Sequence, residues 1–182
     1  ACPDLLQEPG SHDWIGVCLM LTMRRISWQS VLVAASAATL VGTLGGVLTD
    51  TGLWYQSLTK PSWQPPDWAF APAWTLIFIL AAVSAIYAWR DAYTPAQRRW
   101  VVVLFTLNAA LNSLWSTLFF VVKRPDWALI EVAVLWLSVL LPIVVFWRRS
   151  RTASLYLLPY LAWVSFAAFL NYTVVQLNAP FA

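Results

Sequence analysis

The stretch WYQSLTKPSWQPPDWAFAPAW, residues 54–74, decides the fold. Pro61, Pro65 and Pro66 lack a backbone N–H and fix φ, so helix cannot run through them, and 50–67 reads as a loop. Long uncharged segments flank it on both sides. The loop nonetheless carries Trp54, Tyr55 and Trp63, with Trp68 just beyond it, more aromatic surface than a solvated linker needs. Aromatic rings with a polar handle settle where one end is dry and the other wet. Two readings follow: a lid folded over the mouth of a membrane helix bundle, or an interfacial loop whose tryptophans sit among lipid headgroups.

Composition selects the solvent. The 182 residues are 60% hydrophobic and only 10% charged, with 13 tryptophans and a mean hydropathy of +0.67. Soluble domains are roughly one quarter charged, so the lipid bilayer is this chain's solvent. Cys2, Cys18 and the lone His12 all fall near the N-terminus, outside the apolar spans. A disulfide framework, a histidine-ligated metal and a histidine-based nucleophile relay are therefore not expected, and no cofactor is implied.

Charged residues mark off the helices. The segments 26–49, 68–89, 100–122 and 127–147 hold a single charge, Glu131, and nothing beyond Arg151 is charged. About 20 apolar residues cross a bilayer at 1.5 Å each, so the chain reads as an all-α bundle of five transmembrane helices, the fifth at 155–177. Short connections make neighbours antiparallel, which gives a single domain over 26–178 with a C-terminal tail at 179–182. Residues 1–25 read as an N-terminal extension of no assigned function, with Met23 a candidate start. The apolar run at 14–23 is too short to span, and Arg24 and Arg25 follow it where a secretory signal would have them precede it.

Orientation comes from the basic residues. Arg24, Arg25, Arg90, Arg98, Arg99, Arg148, Arg149 and Arg151 fall on one side, against Lys60, Lys123 and Arg124 on the other. Positive residues stay cytoplasmic, which puts the N-terminus inside and the lid loop outside. No contiguous basic face exists for nucleic acid. Trp28, Trp68, Trp89, Trp100, Trp127 and Trp147 lie at helix ends and read as the aromatic belt. Gly42, Gly45 and Gly46, with Ala109 and Ser113, are small residues that pack helices within the bundle or pair two copies into a homodimer.

Three clusters lie inside the spans. Trp74 and Phe78 are i,i+4 on the second helix. Asn108 and Asn112 are i,i+4 on the third, with Trp115 and Phe119 continuing the stripe. Trp163, Phe166, Ala167 and Asn171 share a face of the fifth. Amides in hydrocarbon must be satisfied, so the asparagines face inward, either tying helices together or orienting a ligand. Beside inward indoles they describe a mostly apolar pocket with a few polar groups, suited to a flat conjugated molecule. Glu131, one turn into the fourth helix, is read as snorkelling to the interface, against a ligand or proton role. Pro142 and Pro159 are expected to bend their helices.

The strings WYQSLTKPSWQPPDW and APAW, then LNSLWSTLFF at 111–120 and PYLAWVSFAAFLNY at 159–172, resemble the TspO/translocator protein family, the peripheral benzodiazepine receptors. The resemblance covers about 28–178. It implies a homodimeric five-helix protein that binds tetrapyrroles such as protoporphyrin IX, hydrophobic drug-like ligands and, in some members, sterols. The implied pocket is lined by Tyr55, Trp74, Phe78, Asn112, Trp115, Trp163 and Ala167, with Trp63 and its prolines as lid. It also implies, for some bacterial members, light- and oxygen-dependent porphyrin degradation, here through Trp74 and Trp163. Porphyrin sensor or carrier is the leading reading, then that enzyme, then a small-solute transporter. Two departures stand out. Phe78 occupies a position where many relatives have Tyr. Tyr172 is followed by no Lys or Arg within the reach of the sterol motif, which discounts sterol binding.

Overall fold

The computed structural model describes residues 26–181, so the N-terminal extension, residues 1–25, lies outside the described residues. The described chain is helical and contains no strand. Its long helices are α1 (Trp28–Leu48), α3 (Phe70–Arg90), α4 (Pro95–Ser116), α5 (Pro125–Trp147) and α6 (Arg151–Asn178), with a short α2 (Leu53–Ser57) in the loop. Five stretches are long and apolar enough to cross a membrane.

Local chemistry sets the helix starts. Ser27 caps α1 by accepting from the Ser30 N–H at 3.2 Å. Thr94 and Gln97 form a capping box with Pro95 in the first turn, so α4 begins at Pro95, ahead of Trp100 where the uncharged segment starts, and takes in Arg98 and Arg99. Ser150 caps α6, which opens at Arg151. Charge marks where a span meets the headgroups; caps mark where the helix starts. The loop also differs from its reading as non-helical. Its first proline is Pro61, so nothing prevents a turn of helix over Leu53–Ser57.

Around the bundle the order is α1, α3, α6, α5, α4 and back to α1. The centre is the seam between α5 and α6, where Val132, Leu135, Val139 and Ile143 meet Leu157, Tyr160 and Val164, with Ile77 of α3 alongside. Two serines fasten α6 to its neighbours: Ser154 donates across the seam to the Ile143 carbonyl of α5 at 2.8 Å, and Ser84 of α3 donates to the Ala153 carbonyl at 2.7 Å. Helices α5 and α6 continue through Pro142 and Pro159. By contrast α1 has no buried residue and packs chiefly on α3, with a lighter contact to the α4 side. At Gly42 α1 and α3 come close, and a Cβ there would lie 3.4 Å from the Phe78 ring, an ordinary contact.

Helix α4 ends in a π turn, Thr117–Val121. Ordinary α geometry rotates successive side chains by about 100°, whereas the widened turn lets Phe119 and Phe120 both bury. Lys123 then takes a left-handed φ of 59° and the Arg124 N–H closes back on the Leu118 carbonyl at 3.0 Å.

Candidate functional site

Beneath the 50–67 segment lies a chamber of about 430 Å³. Helices α1, α3, α4 and α6 wall it and the loop roofs it; α5 contributes no lining residue and backs the wall instead. The loop is thus a lid. It is tied down at the far end of α6, where Asn178 accepts from the Thr59 N–H at 2.7 Å and donates to the Thr59 carbonyl at 2.9 Å. Trp63 stacks on Phe169 of α6 at 5.1 Å, and Trp54 meets Phe119 edge-on at 6.2 Å.

Aromatic rings make most of the wall. Trp74 stacks on Phe78 at 5.5 Å and meets Trp163 edge-to-face at 6.3 Å. On the opposite side Trp115 packs against Phe119 at 5.3 Å. Amides interrupt these rings in two places. Asn112 donates to the Tyr160 hydroxyl at 3.2 Å. Asn171 accepts from Trp115 Nε1–H at 3.2 Å and donates to the Pro125 carbonyl at 2.9 Å. Both amides are therefore satisfied in place and tie helices together while facing the chamber. Trp163 leaves its buried Nε1–H without an acceptor among the described residues.

The roof is polar. Asp67 Oδ1 accepts from the Tyr55 hydroxyl at 3.1 Å and from Gln64 at 3.2 Å, and Lys60 stands 3.7 Å from its Oδ2. Burial above all, then the Asp67 charge and hydrogen bond, pushes the Tyr55 hydroxyl up to about 12.

Of the residues singled out from sequence, Tyr55, Trp74, Phe78, Asn112, Trp115, Phe119, Trp163, Ala167 and Asn171 lie on the chamber wall. Three do not. Asn108 donates to Ser138 of α5 at 2.8 Å; one turn, about 6 Å, separates it in depth from Asn112. Trp63 and Phe166 pack against each other at 6.0 Å and pin the lid to α6 from outside. Glu131 is corrected as well: it is only 7% exposed, and neither carboxyl oxygen has a hydrogen-bond partner among the described residues. It lies on the inward stripe of Ala128, Val132 and Leu135, which turns it away from the interface. The sequence reading missed Lys60, Gln64 and Asp67 in the roof, Phe70 and Phe120 in the wall, and the α1 contribution of Gly42, Gly45 and Thr49. Polar residues inside an aromatic, proline-stiffened loop were the available signal for the roof. No group of metal-ligating side chains is assembled among the described residues.

Long apolar helices closed around a lidded, indole-walled chamber define a multi-pass integral membrane protein with an internal cavity. The chain belongs to the TspO/MBR family, which it matches over residues 31–177. It is 40% identical to the tryptophan-rich protein TspO of Chlorobaculum tepidum over 140 residues, 76% of this chain and 89% of that protein. It is 34% identical to the translocator protein of Sus scrofa over 147 residues, 77% of this chain and 87% of that one. With the tryptophan-rich sensory protein of Cereibacter sphaeroides it shares 32% identity over 153 residues, 84% of this chain and 94% of that one.

Proposed function

We propose that this is a membrane tetrapyrrole-binding protein, a sensor, carrier or regulator whose chamber accepts protoporphyrin IX and other flat hydrophobic molecules. The observation that carries the reading is the lidded 430 Å³ chamber with Trp74, Trp115 and Trp163 on its walls and amides between them. Its volume lies in the range of roughly 300–1,000 Å³ used for small ligands. Stacking surfaces suit a conjugated macrocycle, and a slight turn of the Trp163 indole would offer its unspent N–H to a ligand acceptor. Sensory and translocator proteins among the relatives fit a regulatory or carrier role. In the same reading the N-terminus is cytoplasmic and the lid faces the other side, since basic residues concentrate at the non-lid end. The protein is a homodimer, with the unburied α1 a natural face for a second copy.

Titration of the detergent-solubilised protein with protoporphyrin IX tests this. Tryptophan fluorescence should be quenched saturably, with Trp74→Phe and Trp163→Phe each weakening the effect. Unchanged curves in both variants would remove the assigned chamber from the reading. The 6.3 Å edge-to-face pair of Trp74 and Trp163 supports a second reading, light-driven oxidation of bound porphyrin by oxygen. A distinct absorbing product after illumination, absent from both variants, distinguishes it from the bleaching that free porphyrin undergoes.

A further inference from the structure

We propose that Lys60 makes the chamber selective for ligands carrying carboxylates, by offering its ammonium at the mouth to the acidic edge of a molecule whose apolar body lies among the indoles below. The inference rests on the tetrapyrrole-binding reading and adds the chemical group that the roof recognises.

Only two of the chamber-lining residues are charged, Lys60 and Asp67, and both are in the roof. Their hydrogen-bonding states differ. The Asp67 carboxylate is engaged: Oδ1 accepts from the Tyr55 hydroxyl and from Gln64, and Oδ2 from Gln56 at 3.4 Å. Lys60 is held without being used. Its Nζ sits 3.7 Å above the centroid of the Tyr55 ring, and its 3.7 Å approach to Asp67 Oδ2 is an ion pair too long for a hydrogen bond. Among the described residues no atom accepts a hydrogen bond from it. Its side chain is only 21% exposed, so it faces a less polar setting than a surface lysine.

An ammonium with three free donors and a fixed seat is a receptor for an incoming carboxylate. The competing charge of Asp67 is spread over other donors in the lid. Tyr55 cannot serve the ligand equally well, because its hydroxyl proton is committed to Asp67. A porphyrin acid stacked between the walls would direct its charged edge toward the polar roof, while the apolar floor around Phe78 and Trp74 would reject it. A neutral ester of the same macrocycle keeps the stacking and loses the ion pair.

Protoporphyrin IX and its dimethyl ester, titrated against the wild type, Lys60→Met and Lys60→Arg in detergent, separate the possibilities. The diacid should bind the wild type about tenfold more tightly than the ester, the factor expected of one charge-assisted hydrogen bond. Lys60→Met should abolish that preference with ester binding intact, and Lys60→Arg should keep it. Equal affinity of the wild type for acid and ester overturns the inference and leaves the chamber as a porphyrin site. Loss of both ligands in Lys60→Met also overturns it, since it marks Lys60 as a clip for the lid. Failure of both porphyrins to quench the wild type removes the tetrapyrrole reading itself.

Discussion

Replacing Asn171 by alanine removes a junction between three helices. Asn171 is 1% exposed on α6, takes the Trp115 indole N–H of α4 at 3.2 Å, and gives its own N–H to the carbonyl of Pro125, the first residue of α5, at 2.9 Å. Alanine leaves the Trp115 indole N–H unsatisfied in apolar surroundings and removes the bond to the Pro125 carbonyl, which keeps its helical partner. An unsatisfied buried group costs about 1–3 kcal/mol, and interhelical side-chain bonds in membranes measure about 0.6–2 kcal/mol, so roughly 2–4 kcal/mol is expected for the pair. For a chain of this size about 1 kcal/mol moves Tm by roughly 2–4 °C, which predicts a fall of roughly 4–16 °C. Scanning fluorimetry in detergent measures it. Asn171→Leu, close in volume, should lose nearly as much, because the loss lies in hydrogen bonding more than in packing. Trp115→Phe combined with Asn171→Ala should show a coupling of about 1 kcal/mol, since both variants break the same bond. A fall under about 2 °C for Asn171→Ala, or strict additivity with Trp115→Phe, would refute the junction.

Two further outcomes follow from the lid. Asn178→Ala breaks both bonds to Thr59, so porphyrin should dissociate roughly five- to tenfold faster in a stopped-flow displacement, and an unchanged rate would mean the lid end does not gate release. The Tyr55 hydroxyl is raised from 10.0 to about 12, so the folded state keeps that proton longer than the unfolded chain. Its contribution is therefore full below pH 10 and lost as pH rises toward 12. Across that alkaline window the Tm of wild type should fall more steeply than that of Tyr55→Phe; parallel slopes would dissociate Tyr55 from lid stability.

Much of the wall was legible because helical periodicity is local. Residues four apart share a face whatever surrounds the helix, so Trp74 with Phe78, and Asn112 with Trp115 and Phe119, could be grouped from spacing alone. Depth was not legible. Asn108 shares the face of Asn112 yet bonds Ser138 of α5, because only the packing of α4 on α5 sets which level opens on the chamber. The π turn at the end of α4, in which both Phe119 and Phe120 are buried, has no sequence signature. Glu131 misled for a related reason. A carboxylate one turn from a helix end can reach the interface in principle, but its angular position on α5 points it into the bundle.

By itself the amino-acid order determined the solvent, the number of crossings and the proline-stiffened break between the first two, since hydropathy, span length and missing N–H groups act along the chain. Tertiary structure alone decided that α5 stands behind the wall while α1 completes it, and that Asn108 drops out of the site. It also gathered Lys60, Tyr55, Gln64 and Asp67 into one roof. Those outcomes depend on which helices become neighbours and at what depth, and that is set by the joint packing of all five rather than by any one segment.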